Sequence, residues 1–364
     1  MKKIVLTFVA GTLLSALWWF THKPSALTGR RLTLYIYANY LDPTVLEDFK
    51  KEYGVDVIEE NCSSNEEVEG KLKAGATGYD LIVPSDYMVQ RLASAHLIQP
   101  LDRTKITNTK YLSPQFQTPN YDPKGEFVVP YMWGTTGIGY NQAKIATIPH
   151  SWKDFFDAKW LSSLDKRLSI LDDPRELIGA ALKASGHSLN EFSPEALADA
   201  KAKLQTLLPY VGRIDSNSFK DLLASGDIWV AHGYSGDILR LSKDQPEIKY
   251  IIPEDGGSIW ADNLAIPTSS SNQDIAYLFI DFIMRPEVNA RLATYIHYAT
   301  TNEAAKAFIP KEQLDNPNIY PDKALLARLE WFQDLGEHSD DLDTLWTELK
   351  ASVPSLAPAS ESEE

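Results

Sequence analysis

The spacing of apolar positions changes repeatedly over the first ninety residues. Residues 32–37, LTLYIY, are dense in β-formers and predict a strand. In residues 43–53, PTVLEDFKKEY, helical spacing puts Val45, Leu46, Phe49 and Tyr53 on one face; Pro43 suits the first turn and Gly54 the stop. VDVIEE at 55–60 predicts a second strand. SNEEVEGKLKA at 64–74 predicts a helix with a capping serine and an acidic first turn, and YDLIVPSD at 79–86 a third, buried strand ending at Pro84. Strand, helix, strand, helix, strand is the pattern of a parallel α/β sheet. Such sheets bind ligands beyond the carboxyl ends of their strands, where Asn39-Tyr40 and Ser85-Asp86-Tyr87 fall.

The alternation continues downstream. FVVPYMWGTTGIGYN, 127–141, predicts a glycine-rich strand. Helices are expected over 151–160, 174–186, 193–209, 273–285, 286–294, 321–332 and 339–352. A strand over 168–174 ends in Asp172 and Asp173. Another over 227–235 runs into a glycine-flanked loop presenting Tyr234 and Asp237. In GGSIWADNLAIP, 256–267, a strand would turn Trp260 and Asp262 to the same side. A core strand would carry a second apolar residue at 262. An indole beside a carboxylate suits a cation, through the ring quadrupole and the charge together. Asp86 with Tyr87 and Tyr234 with Asp237 repeat the pairing. Residues 351–364 are low in complexity and are expected to be disordered.

Composition narrows the function. With 364 residues, 44% hydrophobic and 23% charged, the chain fits a soluble protein of two domains or lobes. A net charge of −15 argues against a nucleic-acid partner. It suits a cationic ligand, or solubility alone. Cys62 is the sole cysteine, so neither an internal disulfide nor a cysteine metal site is expected. Met1-Lys2-Lys3 precedes an apolar run from Ile4 to Phe20, which reads as an export signal over 1–26, either cleaved or kept as an anchor. Removing that segment would leave a net charge of −18.

Catalytic and cofactor motifs fail on inspection. GYSGD, 233–237, has its second glycine one residue too early for a nucleophile elbow. GTTGIG, 134–139, lacks the dinucleotide spacing, and no Walker loop or H-E-x-x-H is present. The seven histidines show no metal spacing, so no metal and no cofactor is expected. Asp173 and Glu176 flank Pro174 at a helix start, where they could cap the helix or hold a ligand. Tyr298 could pack in the core or touch a ligand. Among the tryptophans, Trp133 and Trp260 stand near glycines and polar residues and are the better site candidates.

Five blocks carry a family resemblance: YDLIVPSDYMV (79–89), VPYMWGTTGIGYN (129–141), LDDPRE (171–176), GGSIWADNLAIP (256–267) and FIMRPEV (282–288). From about Leu32 to about Leu349 the chain resembles the bacterial periplasmic spermidine/putrescine-binding proteins, the substrate receptors of polyamine ABC importers. The resemblance implies a type II periplasmic binding protein, an α/β fold of two lobes with a ligand cleft and a crossover hinge. Lobe one would comprise 31–136 plus 261–304, and lobe two 137–260 plus 305–350. It implies a periplasmic, monomeric, non-enzymatic receptor that passes a polyamine to an inner-membrane permease. Ser85 and Tyr87 would line the cleft from lobe one and Asp173 and Glu176 from lobe two, joined by Tyr234, Asp237, Trp260, Asp262 and Tyr298.

Three departures bear on ligand choice. The first-strand loop, Tyr37-Ala38-Asn39-Tyr40, is two residues short and lacks the family tryptophan, with Tyr40 matching the family tyrosine and Asn39 beside it. Tyr234 replaces a tryptophan. A glutamine that spermidine receptors use late in the chain aligns with Phe332, next to Gln333. Rival readings are a polyamine sensor that signals through a membrane partner and a receptor of this fold for another small cation.

Overall fold

In the computed structural model, residues 27–333, 335 and 339–352 are described. The expected export segment, 1–26, and all but the first two residues of the 351–364 tail lie outside them; Ala351 still belongs to the final helix, Ser339–Ala351. Among the described residues no helix is long and apolar enough to cross a membrane.

The strands are β1 (Arg31–Tyr37), β2 (Asp56–Cys62), β3 (Leu81–Ile82), β4 (Val128–Asn141), β5 (Leu168–Ile170), β6 (Val211–Ile214), β7 (Val230–Tyr234), β8 (Ile248–Ile251), β9 (Gly257–Ala265), β10 (Ala299–Thr300) and β11 (Leu329–Trp331). Their main order is β2-β1-β3-β9-β4-β7-β5-β6. β1 runs parallel to both β2 and β3, as the opening pattern predicts. The helix Pro43–Tyr53 is capped by Asp42 and ends at Gly54, whose left-handed φ of 72° suits glycine. The helix Asn65–Lys73 is capped by Ser64.

β4 links the two halves of the sheet. Val128 to Thr135 pairs with β9, and Thr136 to Asn141 pairs with β7 and β8. The chain passes between halves at Thr135-Thr136. Two hydrophobic clusters form, the first extending past the passage to Phe219 and Ile238. That first cluster gathers Leu34, Phe49, Phe279 and Phe282; the other gathers Ile138, Trp152, Leu177, Leu204 and Trp346.

The structure departs from the sequence reading at several elements. The expected helix over 321–332 is a short helix, Lys323–Leu326, followed by strand β11, which pairs with Gly257–Ile259 of β9. Leu325, Leu329 and Phe332 have helical spacing, but the partner strand lies some seventy residues upstream in sequence and decides the outcome. The third strand shrinks to Leu81–Ile82, because a helix begins at Asp86. The presumed loop after Tyr234 is the helix Ser235–Asp244. The helix over 151–160 divides into Trp152–Phe155 and Ala158–Ser162. β6, β8 and β10 have no counterpart in the sequence reading.

Candidate functional site

Where the two halves meet, side chains from both enclose a cavity of about 300 Å³. That lies at the small end of ligand sites, which run from about 300 to 1,000 Å³. Its walls include Asn39, Tyr40, Ser85, Tyr87, Asp173, Glu176, Tyr234, Asp237, Trp260, Asp262 and Tyr298. Gln333 is not among the wall residues. It is exposed; its carbonyl accepts from Arg175 and its N–H donates to Asn190 at 2.9 Å, while Phe332 reaches the cavity.

A row of rings forms one wall. Tyr40 and Tyr298 have centroids 5.6 Å apart, Tyr298 and Trp260 5.0 Å, and Trp260 and Tyr234 5.8 Å. The row depends on two glycines. A Cβ at Gly134 would lie 2.7 Å from the Trp260 ring, and one at Gly236 would lie 2.6 Å from Tyr298. Gly236 therefore has a packing reason to stand in the first turn of a helix, where it also hid that helix from sequence reasoning.

The carboxylates interleave with the rings. Asp262 accepts from the Tyr40 hydroxyl at 2.5 Å and the Ser85 hydroxyl at 2.7 Å. Burial nonetheless pushes its carboxyl up to about 6, with the two hydrogen bonds opposing the shift. Glu176 accepts from Thr136 at 2.8 Å and Ser258 at 2.6 Å, and Trp260 donates to the same Thr136 hydroxyl at 3.1 Å. Burial raises Glu176 to about 8, and the Asp173 charge adds to the rise. Asp173 caps the helix, one of the two roles left open by the sequence, and its other oxygen faces a ring of the cavity wall. One oxygen caps the helix Pro174–Ala184 through the N–H groups of Arg175 and Glu176, and the other accepts from Tyr234 at 3.4 Å. Burial raises its carboxyl as well. Asp237 accepts from Tyr298 and from Lys220, each at 3.5 Å.

Two further wall residues, Asn65 and Glu66, did not stand out as site candidates in the sequence. Asn65 bridges Ser85 and Tyr87, donating to each hydroxyl at 3.1 Å. Glu66, at the cavity mouth, accepts from the Tyr87 hydroxyl at 3.1 Å; its acidic first-turn position read only as a helix start. Asp86 is fully buried and raised to about 8 by that burial. One of its oxygens accepts from the Tyr87 N–H, and the other has no partner among the described residues. Asn39 sits at the rim with a left-handed φ of 61°, a region asparagine tolerates. Trp133 turns away from the cavity and donates to the Thr300 carbonyl at 3.1 Å. Ser235, the failed nucleophile candidate, is buried with its Oγ accepting from the Thr135 N–H at 3.3 Å. Among the described residues no group of three metal-ligating side chains forms.

A cleft between two α/β halves joined by shared strands, walled by carboxylates and rings, is the architecture of a two-lobed solute receptor. Comparison with known proteins agrees. The family model for bacterial extracellular solute-binding proteins matches residues 44–321. The chain is 33% identical to a putrescine/cadaverine-binding protein of Pseudomonas aeruginosa, covering 96% of this chain and 99% of that one. It is 34% identical to a spermidine/putrescine-binding periplasmic protein of Salmonella typhimurium, over 88% of this chain and 92% of that one. The solved spermidine/putrescine ABC transporter substrate-binding protein PotD from Streptococcus pneumoniae superposes with a TM-score of 0.77 at 30% identity, over 89% of this chain and 99% of that one. The chain belongs to the bacterial extracellular solute-binding proteins.

Proposed function

We propose that this chain is the polyamine receptor of an ABC importer, which captures putrescine or spermidine and delivers it to an inner-membrane permease. The observation that carries this reading is the alternation of carboxylates, Glu176 and Asp262 buried among them, with ring faces in one cavity between the halves. A polyamine is a methylene chain with ammonium groups at fixed spacing. Asp173, Glu176, Asp237 and Asp262 would take the ammonium groups, while Tyr40, Tyr87, Tyr234, Trp260 and Tyr298 would cover the methylenes. Each charge-assisted hydrogen bond is worth about 1.5–3 kcal/mol and each cation–π contact about 0.5–2 kcal/mol. After the cost of fixing a flexible ligand, a micromolar Kd, about −8 kcal/mol, is expected. The three relatives described above, a putrescine/cadaverine-binding protein and two spermidine/putrescine-binding proteins, support the same ligand class.

The lobes would divide as 31–136 plus 261–304 and 137–260 plus 305–350, with the Thr135-Thr136 passage of β4 in the hinge. The receptor would work as a monomer in the periplasm after export by its N-terminal segment. Titration calorimetry of residues 27–364 against putrescine, spermidine, spermine, cadaverine and arginine, after unfolding and refolding to strip bound ligand, tests the reading. A one-site isotherm with one or two amines is expected. No heat with any amine, from folded protein, would refute the polyamine assignment.

A further inference from the structure

Arg175 is a cation in the wall of a cavity rich in carboxylates. It stands in the first turn of the helix Pro174–Ala184, between Asp173 and Glu176 in sequence, yet its side chain reaches elsewhere. Its guanidinium carbon lies 4.5 Å from the Tyr87 ring centre and 4.8 Å from that of Phe332, and a terminal nitrogen donates to the Gln333 carbonyl. Its Nε is buried without an acceptor, and no carboxylate comes within ion-pair distance of it, among the described residues. Asp86, Asp173 and Glu66 act on it only across longer gaps. Three segments distant in sequence therefore meet on one guanidinium. Under the lobe division proposed above, Tyr87 belongs to lobe one and Arg175, Phe332 and Gln333 to lobe two.

We propose that Arg175 is a closure latch, a positioning residue that holds Tyr87 of one lobe against Phe332 and the Gln333 carbonyl of the other and so slows the escape of a bound cation. The inference rests on the polyamine reading for its ligand. A guanidinium suits the task because it is planar, weakly hydrated and stacks on aromatic faces. Its positive charge makes the sign of the test informative. On field effects alone, removing a cation from a cation-binding cavity tightens binding. A latch predicts the opposite, because its removal breaks direct contacts between the two lobes.

The test compares the parent mature protein with Arg175→Met, Arg175→Lys and Phe332→Leu. Kd for putrescine and spermidine is read by calorimetry, and association and dissociation rates by stopped-flow tryptophan fluorescence. Arg175→Met is expected to weaken both amines at least tenfold, almost wholly through faster dissociation, with the ratio of the two Kd values kept within threefold. Arg175→Lys, which keeps the charge but not the plane, should resemble Arg175→Met. Phe332→Leu, which keeps the apolar bulk, should speed dissociation to a smaller degree and covers the case in which Arg175→Met misfolds. Tighter or unchanged binding by Arg175→Met, or a lysine variant equal to the parent, overturns the latch. If the parent binds neither amine, the polyamine reading falls and the latch with it; if the parent binds and the variants match it, only the latch falls.

Discussion

Asp262→Asn is the most informative perturbation of the site, because affinity and stability should respond differently. The carboxyl is buried, and its pKa rises from an ordinary 3.8 to about 6. A shift of that size means that ionising this carboxyl in the fold costs about 3 kcal/mol more than in the unfolded chain, a cost borne at neutral pH, where it is mostly ionised. An amide removes that cost. It also offers one acceptor where the carboxylate offered two, so either Tyr40 or Ser85 must turn or lose its bond, at about 1–3 kcal/mol. The two effects nearly cancel, and stability should stay within about 2 kcal/mol of the parent. Affinity has no such compensation. Losing a charge-assisted contact of about 1.5–3 kcal/mol should raise Kd roughly ten- to a hundredfold. Calorimetry at pH 7.5 and thermal unfolding of the same samples check both numbers. An unchanged Kd would remove Asp262 from the ligand site. A collapse in stability would refute the claim that burial disfavours this charge, and the lost affinity would then report unfolding.

Three other outcomes are expected. In the unliganded protein, Glu176 and Asp86, both raised to about 8, bind protons that the unfolded chain releases, so stability should fall as pH rises from 6.5 to 8, by about 1.5–2.5 kcal/mol per unit. His232, depressed to about 3 by burial, has the opposite sign but acts only below about pH 6.5, outside that window; a flat melting temperature from pH 6.5 to 8 would contradict the raised carboxyls. Amine binding at pH 7 should release up to about one proton, since a group with a pKa near 8 is about nine-tenths protonated there; calorimetry in two buffers of different ionisation enthalpy measures it, and zero release would mean Glu176 stays neutral beside the ligand. Gly236→Ala should push the Tyr298 ring from its place, weaken amine binding about tenfold or more and cost about 1–3 kcal/mol of stability, because the new Cβ would lie 2.6 Å from that ring and 2.7 Å from the Ile296 carbonyl; unchanged binding and melting would show that the ring wall repacks freely.

Much of the architecture was legible because it is local. Pro43, Phe49 and Gly54 mark their helix by spacing, cap and stop, and the structure bounds it at Pro43–Tyr53 as the pattern predicts. Trp260 and Asp262 could be assigned to one face because a strand has a period of two, and both line the cavity. The misses share a physical cause. Leu329–Trp331 is a strand only because Gly257–Ile259 lies beside it, and that pairing cannot be read from residues 321–332 alone. Gly236 reads as a loop residue, but its missing side chain serves Tyr298. Glu66 and Arg175 were passed over because one reads as a first-turn acid and the other as an ordinary helix arginine. Their reach into the cavity depends on Tyr87 and Phe332, which are remote in sequence.

The raised carboxyls also explain how such a cavity would discriminate. Each oxygen of Asp262 and of Glu176 accepts one hydrogen bond from a neutral hydroxyl, yet burial still disfavours their charge. A neutral diol of the same length could displace water from the rings but could not relieve that cost. An ammonium relieves it directly, so part of the binding energy is open only to a cation. The discrimination must then depend on pH. As pH falls below about 6, Asp262 takes up a proton and the advantage of a diamine over its neutral isostere shrinks. Measuring 1,4-diaminobutane and 1,4-butanediol by competition at pH 8 and pH 5 isolates this term. Their affinity ratio should contract at least about tenfold at the lower pH, one pKa unit being about 1.4 kcal/mol. A ratio independent of pH would mean that the cavity selects by shape, with its carboxylates as bystanders.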